Sequence, residues 1–421
     1  MSANAAQVLA RCDELALISA RPDAIERVHL SPEHRAANDL VAGWMRQAGL
    51  TPRQDAAGNV CGRREGARPG LPALLLGSHL DTVPDAGRYD GMLGVVLAVA
   101  VAERLGERAA ELPFALEVVG FSDEEGTRFG KALLGSSALA GVWEPSWWEL
   151  RDAAGTTLRE AFTAFGLDPA AVGEAARRPE ELVGYLEAHI EQGPMLEAAD
   201  ANLGYVTTIA GARRFTVTVR GEARHAGGTP YPRRRDALVG AAQMITRIEE
   251  LVRDSDCIAT VGRIEVRPGA VNVIPGEAEL TLDLRAGTDA ERDAMWQTLH
   301  CELERIATAR GLSLEVVGTH TAPAAPTADW LRQAVVSGIA ATGDHAPLGL
   351  WSRAGHDAMV VSQVTDIGML FVRCFDGISH HPGEDVREVD VARALEAFEA
   401  AVLAVADALD DGDAAVEEVA Q

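Results

Sequence analysis

Positive charge is what this chain has least of. Its 421 residues carry a formal net charge of -25 at pH 7. That balance excludes nucleic acid as a partner, because phosphate binding needs a basic face. Lysine is nearly missing, with Lys131 its single instance. Arginine supplies the remaining cations, a usage that reflects a high-GC coding sequence and carries no functional meaning. Cysteine is sparse as well: Cys12, Cys61, Cys257, Cys301 and Cys374 are scattered, odd in number and never in a CxxC pair. Neither a disulfide framework nor a Cys-based zinc site is expected, and a reducing cytoplasm suits such usage. Long apolar runs are also lacking. The first twenty residues hold Arg11, Asp13 and Glu14 where a secretory signal would be apolar. The longest apolar stretch, Met92 to Ala102, is too short to span a bilayer and reads as a buried helix. The expectation is a soluble, cytoplasmic protein with no membrane contact.

At this length there is room for two domains and a well-filled core. Up to about Thr208, strand-like runs (72–78, 114–121) alternate with helix-like ones (94–105), which predicts an α/β sheet covered by helices. From Arg214 the pattern changes. A period-2 run to Gly221, a helix over 236–252, strands at 259–266 and 278–285, a helix over 289–310 and a strand at 312–317 give a β-α-β-β-α-β order, the unit of a small ferredoxin-like domain. After the connector Thr321-Ala-Pro-Ala-Ala-Pro326 the first pattern resumes, ending in a helix near 391–406 and an acidic tail from Asp410 expected to fray. The predicted architecture is therefore a two-domain α/β protein. Its mixed-sheet catalytic domain (1–208 and 323–421) is interrupted by an inserted domain at 209–322.

The chemistry is concentrated at strand ends. An apolar strand delivers His79, with Asp81 two residues on and on the same face, and Asp90 sits in a Gly-rich turn before a helix. A second strand closes on the pair Glu124 and Glu125. Further along stand His189, in Tyr185-Leu-Glu-Ala-His-Ile-Glu-Gln-Gly193, and His380, in Gly377-Ile-Ser-His-His-Pro-Gly-Glu384. A site for two divalent ions needs imidazole and carboxylate ligands, one carboxylate able to bridge, and room for water. None of these spacings is alone a tight ligand motif, and a single histidine beside an apolar strand is usually packed or solvated. Five candidate ligands (His79, Asp90, Glu125, His189, His380) in one chain weigh differently, especially as Asp81, Glu124, Glu191 and His381 lie close enough in sequence to orient four of them. Adjacent carboxylates do not easily ligate together, so one of the Glu pair is placed to take a proton from water.

The motifs GSHLDTV, GRYDG, FSDEEGTRF, EAHIEQGPMLE, RHAGGTP, VNVIPGEAEL with DLR, AGHDAM and GISHHPGE resemble the M20-type metal-dependent amidohydrolases. The likeness is to the branch of allantoate amidohydrolases and N-carbamoyl-L-amino-acid hydrolases, including β-ureidopropionases, and it runs from about Gly58 to Glu384. The resemblance implies that His79, Asp90, Glu125, His189 and His380 hold two divalent ions, with Asp90 bridging. Zinc, manganese, cobalt and nickel all suit such ligands. It implies Asp81 as the brace of His79, Glu124 as general base, and His225 as a donor to the oxyanion supplied across a homodimer formed by the inserted domain, which also acts as a lid. Asn272 and Arg285 would bind the substrate carboxylate and its polar neighbours, an Arg fork being suited to carboxylate. Gln192, Arg214 and His356 are weaker candidates for the same pocket. Taken alone, His225 would read as a turn histidine and Arg285 as a surface ion-pair residue.

The chain departs from the family pattern at Gly228 and Tyr231, where Thr and Met are common, and at the doubled His380-His381, which leaves the ligand open by one residue. Trp143, Trp147 and Trp148 either line a pocket or cover the core; burial is expected. The implied reaction is hydrolysis of a carbamoyl C–N bond in a small ureido-carboxylate, releasing ammonia and carbon dioxide. Arg213-Arg214 before an alternating strand and Val271-Asn-Val-Ile-Pro275 resemble the allantoate branch, and the resemblance implies allantoate as substrate, with N-carbamoyl-L-amino acids or N-carbamoyl-β-alanine as alternatives. A catalytically silent binding homologue is a further alternative, which the complete ligand set argues against.

Overall fold

In a computed structural model that describes residues 3–419, with side chains through residue 410, the apolar runs at 73–79 and 115–121 form adjacent parallel strands, every residue of both buried. Strand Ala73–His79 also pairs in parallel with Leu182–Ile190, which pairs in parallel with Ile367–Val372. Flanking strands are antiparallel: Val60–Arg64 against Ala115–Phe121, Thr51–Gln54 against Val60–Arg64, and Leu203–Ile209 against Ile367–Val372. The result is a mixed sheet with four parallel strands at its centre. Parallel strands need cover on both faces, which is why they read as continuous apolar runs.

One face is covered by helices Ala5–Ala16, Met92–Leu105 and Glu388–Val419, which pack on one another. Their core includes Leu74, Leu76, Leu116, Val118, Leu186, Ala188 and Ile190, alternate residues of three strands, as the period of two requires. In Met92–Leu105 all but two residues are buried, so the longest apolar run is an internal helix. Among the described residues no helix is long and apolar enough to cross a membrane. The tryptophans join a separate cluster, with Trp147 and Trp148 buried and Trp143 packed at 5.6 Å from the Phe162 ring. The final helix is longer than the sequence suggests. Helical backbone continues to Val419, where a frayed acidic tail is expected; the last two residues lie outside those described.

Two compact units are present. The first comprises residues up to 207, 326–350 and from 355 onward; the second comprises 208–325 and 351–354. In the second, strand Glu277–Ala286 pairs antiparallel with Gly211–Arg220, which pairs with Ser313–Ala322 on its other side. Strands Cys257–Thr260 and Ile264–Arg267 both pair with Glu277–Ala286, two short strands where the sequence suggests one. Helices Ala237–Val252 and Asp289–Ala309 cover this sheet, burying Met244, Ile248, Leu299 and Leu303 against Val217, Val219, Leu280 and Leu282.

Candidate metal centre

Ligands in open α/β sheets collect beyond the carboxyl ends of the parallel strands. His79 is the last residue of its strand, Glu124 and Glu125 follow Phe121 by three and four residues, and His189 is the penultimate residue of Leu182–Ile190. Asp90 enters from the turn before helix Met92–Leu105. Gly91 caps that helix with φ 73°, and a Cβ there would lie 2.5 Å from the His79 ring, so the turn needs glycine for both conformation and room. His380 arrives from the loop after Ile367–Val372.

Asp90 stands at the centre of these groups. Its Oδ1 lies 3.1 Å from His189 Nε2 and 3.6 Å from His79 Nε2, while its Oδ2 lies 3.0 Å from His380 Nε2. His380 Nε2 is also 3.4 Å from Glu125 Oε1. Each carboxylate oxygen therefore faces a different side. His79, Asp90 and His189 form one group of donor atoms lying within 4.8 Å of one another, and Asp90, Glu125 and His380 form a second. Backbone contacts fix the imidazoles: His189 Nδ1 is 2.9 Å from Ile190 O and His79 Nδ1 is 3.0 Å from Asp81 O, which leaves both Nε2 lone pairs toward Asp90. His380 and Gln192 hold left-handed backbone, at φ 54° and 55°. Such strain in non-glycine residues clusters at functional sites.

Electrostatics fit a dication pair. Burial opposes ionisation of Asp90, yet His189, His380 and His79 together hold it well below the usual carboxylate range. Burial and neighbouring acids push Glu124, Asp123 and Asp357 well above theirs and Glu125 up to about 7, while Asp90 draws His380 up to about 8. So many buried acids with so little compensating charge, in a donor set of imidazole and carboxylate, suit divalent cations. Gln192 supplies another sign, since its buried Oε1 has no hydrogen-bond partner among the described residues.

Several supporting contacts differ from those expected. Asp81 lies 3.5 Å from His79 Nδ1, and its two oxygens also accept the backbone N–H groups of Glu124 and Glu125 at 2.9 and 3.1 Å. Glu191 accepts the N–H groups of Met195 and Leu196, opening the turn Met195–Ala198, and His381 Nδ1 accepts from Gly383 N; His189 is instead oriented by Ile190 O. Gln192 donates through Nε2 to Asp90 Oδ2 at 2.9 Å. His356 is fully buried, edge-on to His189 with centroids 4.5 Å apart, and shares a third donor group with Glu187 and His189. Burial holds its imidazole well below the usual range.

Glu384 and Ser379 were not singled out from sequence. Glu384 Oε1 accepts the Tyr89 and Asp90 N–H groups at 2.7 and 3.1 Å, and Ser379 Oγ lies 2.9 Å from Asp90 Oδ2 and 3.0 Å from Glu384 Oε2. Glu384 follows His380 by four residues inside a conspicuous motif, and that proximity was the available signal.

The second unit holds the remaining candidates. Strands Arg224–His225 and Val273–Ile274 pair, and Ala226 N donates to Asn272 O at 2.9 Å, so His225 and Asn272 flank one small ribbon. Arg285 and Arg214 share Asp283: its oxygens accept from Arg285 Nε and Nη2 at 2.8 and 3.3 Å and from Arg214 Nε at 2.8 Å. Arg285 Nη1 donates to Arg353 O. Both arginines are thus ordered by one carboxylate.

A mixed α/β sheet with imidazoles and carboxylates converging on one aspartate beyond its strand ends defines a candidate divalent-metal centre of an α/β protein. The model for peptidase family M20/M25/M40 matches residues 75–404, and the chain belongs to that family. It is similar to an N-carbamoyl-L-amino acid amidohydrolase of Geobacillus stearothermophilus, 40% identical over 388 residues, covering 92% of this chain and 95% of that one. An allantoate deiminase of Arabidopsis thaliana is 38% identical over 420 residues, covering 92% and 80%. Among solved structures, an amidase of the hydantoinase/carbamoylase family from Burkholderia multivorans superposes with a TM-score of 0.88 at 33% identity, covering 96% of this chain and 98% of that one. The protein is an enzyme of the amidohydrolase kind.

Proposed function

We propose that this enzyme hydrolyses the carbamoyl C–N bond of a small ureido-carboxylate, with allantoate as first candidate. The observation that carries the reading is the split of Asp90, one oxygen toward His79 and His189 and the other toward His380 beside Glu125. His79, Asp90 and His189 would hold one divalent ion, and Asp90, Glu125 and His380 a second. Such ions, when bound, acidify water and polarise a carbonyl. Glu124 lies outside those two groups, though it shares another with His79 and Glu125; its carboxyl, beside both, is placed to accept a proton from water. It returns that proton to the departing nitrogen, so that water and the ureido group yield ammonia and a carbamate, which decomposes to carbon dioxide and the amine. Arg285, ordered by Asp283, and Asn272 bind the substrate carboxylate. Gln192 and His356, beside the metal ligands, and Arg214, beside Arg285, are weaker candidates for substrate contacts. His225 donates to the developing oxyanion from a second copy of the chain, in a homodimer built on the 208–325 unit.

A second reading, hydrolysis of N-carbamoyl-L-amino acids, shares every step and is favoured by the Geobacillus relative. Ammonia release from allantoate, N-carbamoyl-L-amino acids and N-carbamoyl-β-alanine, measured with zinc, manganese, cobalt or nickel restored, separates the two. A Glu124→Gln control should keep its metal and release no ammonia. Bound metal without turnover of any ureido acid would instead indicate a silent homologue.

A further inference from the structure

The loop that carries His225 fixes more than the position of its backbone. Gly228 N donates to His225 Nδ1 at 3.0 Å. A backbone amide can only donate, so Nδ1 must offer a lone pair, and the neutral ring then keeps its proton on Nε2. Arg234 holds the loop in the shape that makes this bond. Its Nη2 donates to Ala226 O at 2.6 Å and its Nε to Thr229 O at 3.1 Å, gripping both ends of the Gly227-Gly228 link. Tyr231 lies over the guanidinium, 4.1 Å from ring centroid to Cζ, and Thr229 Oγ1 donates back to His225 O at 2.9 Å. A Cβ at Gly228 would sit 3.4 Å from His225 Nδ1, an ordinary contact, so the role of this residue lies in its N–H and not in being small.

We propose that Arg234 is a positioning residue: it holds the 226–229 loop so that the Gly228 amide locks His225 as the Nε2–H tautomer, a donor already set before substrate arrives. This rests on the reading of His225 as the oxyanion donor. It adds a reason for one of the chain's departures from the family pattern. Tyr231 packs on the guanidinium, whereas Gly228 has no such explanation, since any residue but proline would supply the same N–H.

The test uses the full chain with zinc bound and ¹⁵N-labelled histidine. Long-range ¹H–¹⁵N correlation reports which ring nitrogen is protonated, and the His225 signals are those lost in His225→Gln. The expected result is Nε2–H in the parent, a tautomer mixture in Arg234→Ala and partial retention in Arg234→Lys, whose single ammonium lacks the fork that spans two carbonyls. A parent ring protonated on Nδ1, or an unchanged tautomer in Arg234→Ala, overturns the proposal. Turnover gives a second readout. Gln places an amide donor near the Nε2 position and Asn near Nδ1, so His225→Gln should exceed His225→Asn in kcat by about 10-fold, a fraction of the roughly 10²- to 10³-fold lost when an oxyanion donor is removed outright; equal loss in both counts against a donor at Nε2. If the tautomer behaves as described while His225→Ala turns over normally, the oxyanion role fails and the loop device stands.

Discussion

Asp81 reaches Glu124 through the backbone: the Asp81 Oδ1 accepts the Glu124 N–H at 2.9 Å, while the same carboxylate lies 3.5 Å from His79 Nδ1. The residue that braces a candidate ligand therefore also sets the direction of the general-base candidate. In Asp81→Asn one amide N–H₂ must face a backbone N–H that previously had an acceptor. Both the His79 ring and the Glu124-Glu125 turn should shift. We expect metal affinity to fall about 10- to 100-fold, as for outer-shell partners elsewhere, and ammonia release to remain low even when metal is saturating. Metal titration followed by assay at saturation checks this. Full activity at saturation would mean that Asp81 acts on His79 alone.

Glu384→Ala should weaken the Asp90 turn. Two buried N–H groups, of Tyr89 and Asp90, lose their acceptor, at a cost of about 1–3 kcal/mol each. Glu384→Gln keeps a carbonyl oxygen and should be milder. Gly87→Ala attacks the same contact from the other side, since its Cβ would fall 2.3 Å from the Glu384 carboxyl carbon. Thermal unfolding of all three, with and without metal, should rank Gln as least destabilised. Equal stability of the Ala variant and the parent would refute the role.

Removing metal should make stability depend on pH in a defined direction. In the ion-free arrangement Glu125 is raised from 4.5 to about 7 and His380 from 6.5 to about 8. Burial is the main cause for Glu125, and Asp90 the main cause for His380. A raised pKa means that the folded state binds more protons than the unfolded state, so each group's contribution is present below its unfolded value and lost as pH rises through the folded one. The melting temperature of chelated protein should therefore fall between about pH 5 and 8. Metal binding requires deprotonated ligands, so affinity should rise over the same window. The gap in melting temperature between loaded and chelated protein should widen toward pH 8; a constant gap would contradict the assignment.

Much of the centre was legible because its residues announce themselves locally. His79 and Glu125 close apolar strands, and Asp90 sits between glycines before a helix. What could not be read is whatever depends on segments distant in sequence. Glu384 lies 294 residues from Asp90 and touches it through the backbone, a contact that leaves no periodicity. Asp283 orders Arg285 and Arg214 because antiparallel register places Arg214 opposite Asp283, which requires knowing the pairing. Glu191 and His381, near the ligands in sequence, also accept local N–H groups, of Met195 and Leu196 and of Gly383, contacts that depend on the turns after them. The split of 259–266 into two strands accompanies a one-residue shift of register against Glu277–Ala286, with Thr260 opposite Asp283 and Ile264 opposite Leu280.

The shared site makes a prediction that separates a dimeric mechanism from a monomeric one. If His225 serves the partner's centre, a Glu124→Gln chain retains a usable His225, and a His225→Ala chain retains a usable Glu124. In a mixed dimer one of the two sites then has both groups intact. Random exchange of equal amounts makes half the dimers mixed, so ammonia release should recover to roughly a quarter of the parent value by two-fold symmetry. Each variant alone should stay near background. The exchange must be shown independently, for example by co-purification of differently tagged chains. If mixed dimers form and activity does not rise above that of the parents, His225 acts within its own chain or not at all, and the metal centre must find its oxyanion donor elsewhere.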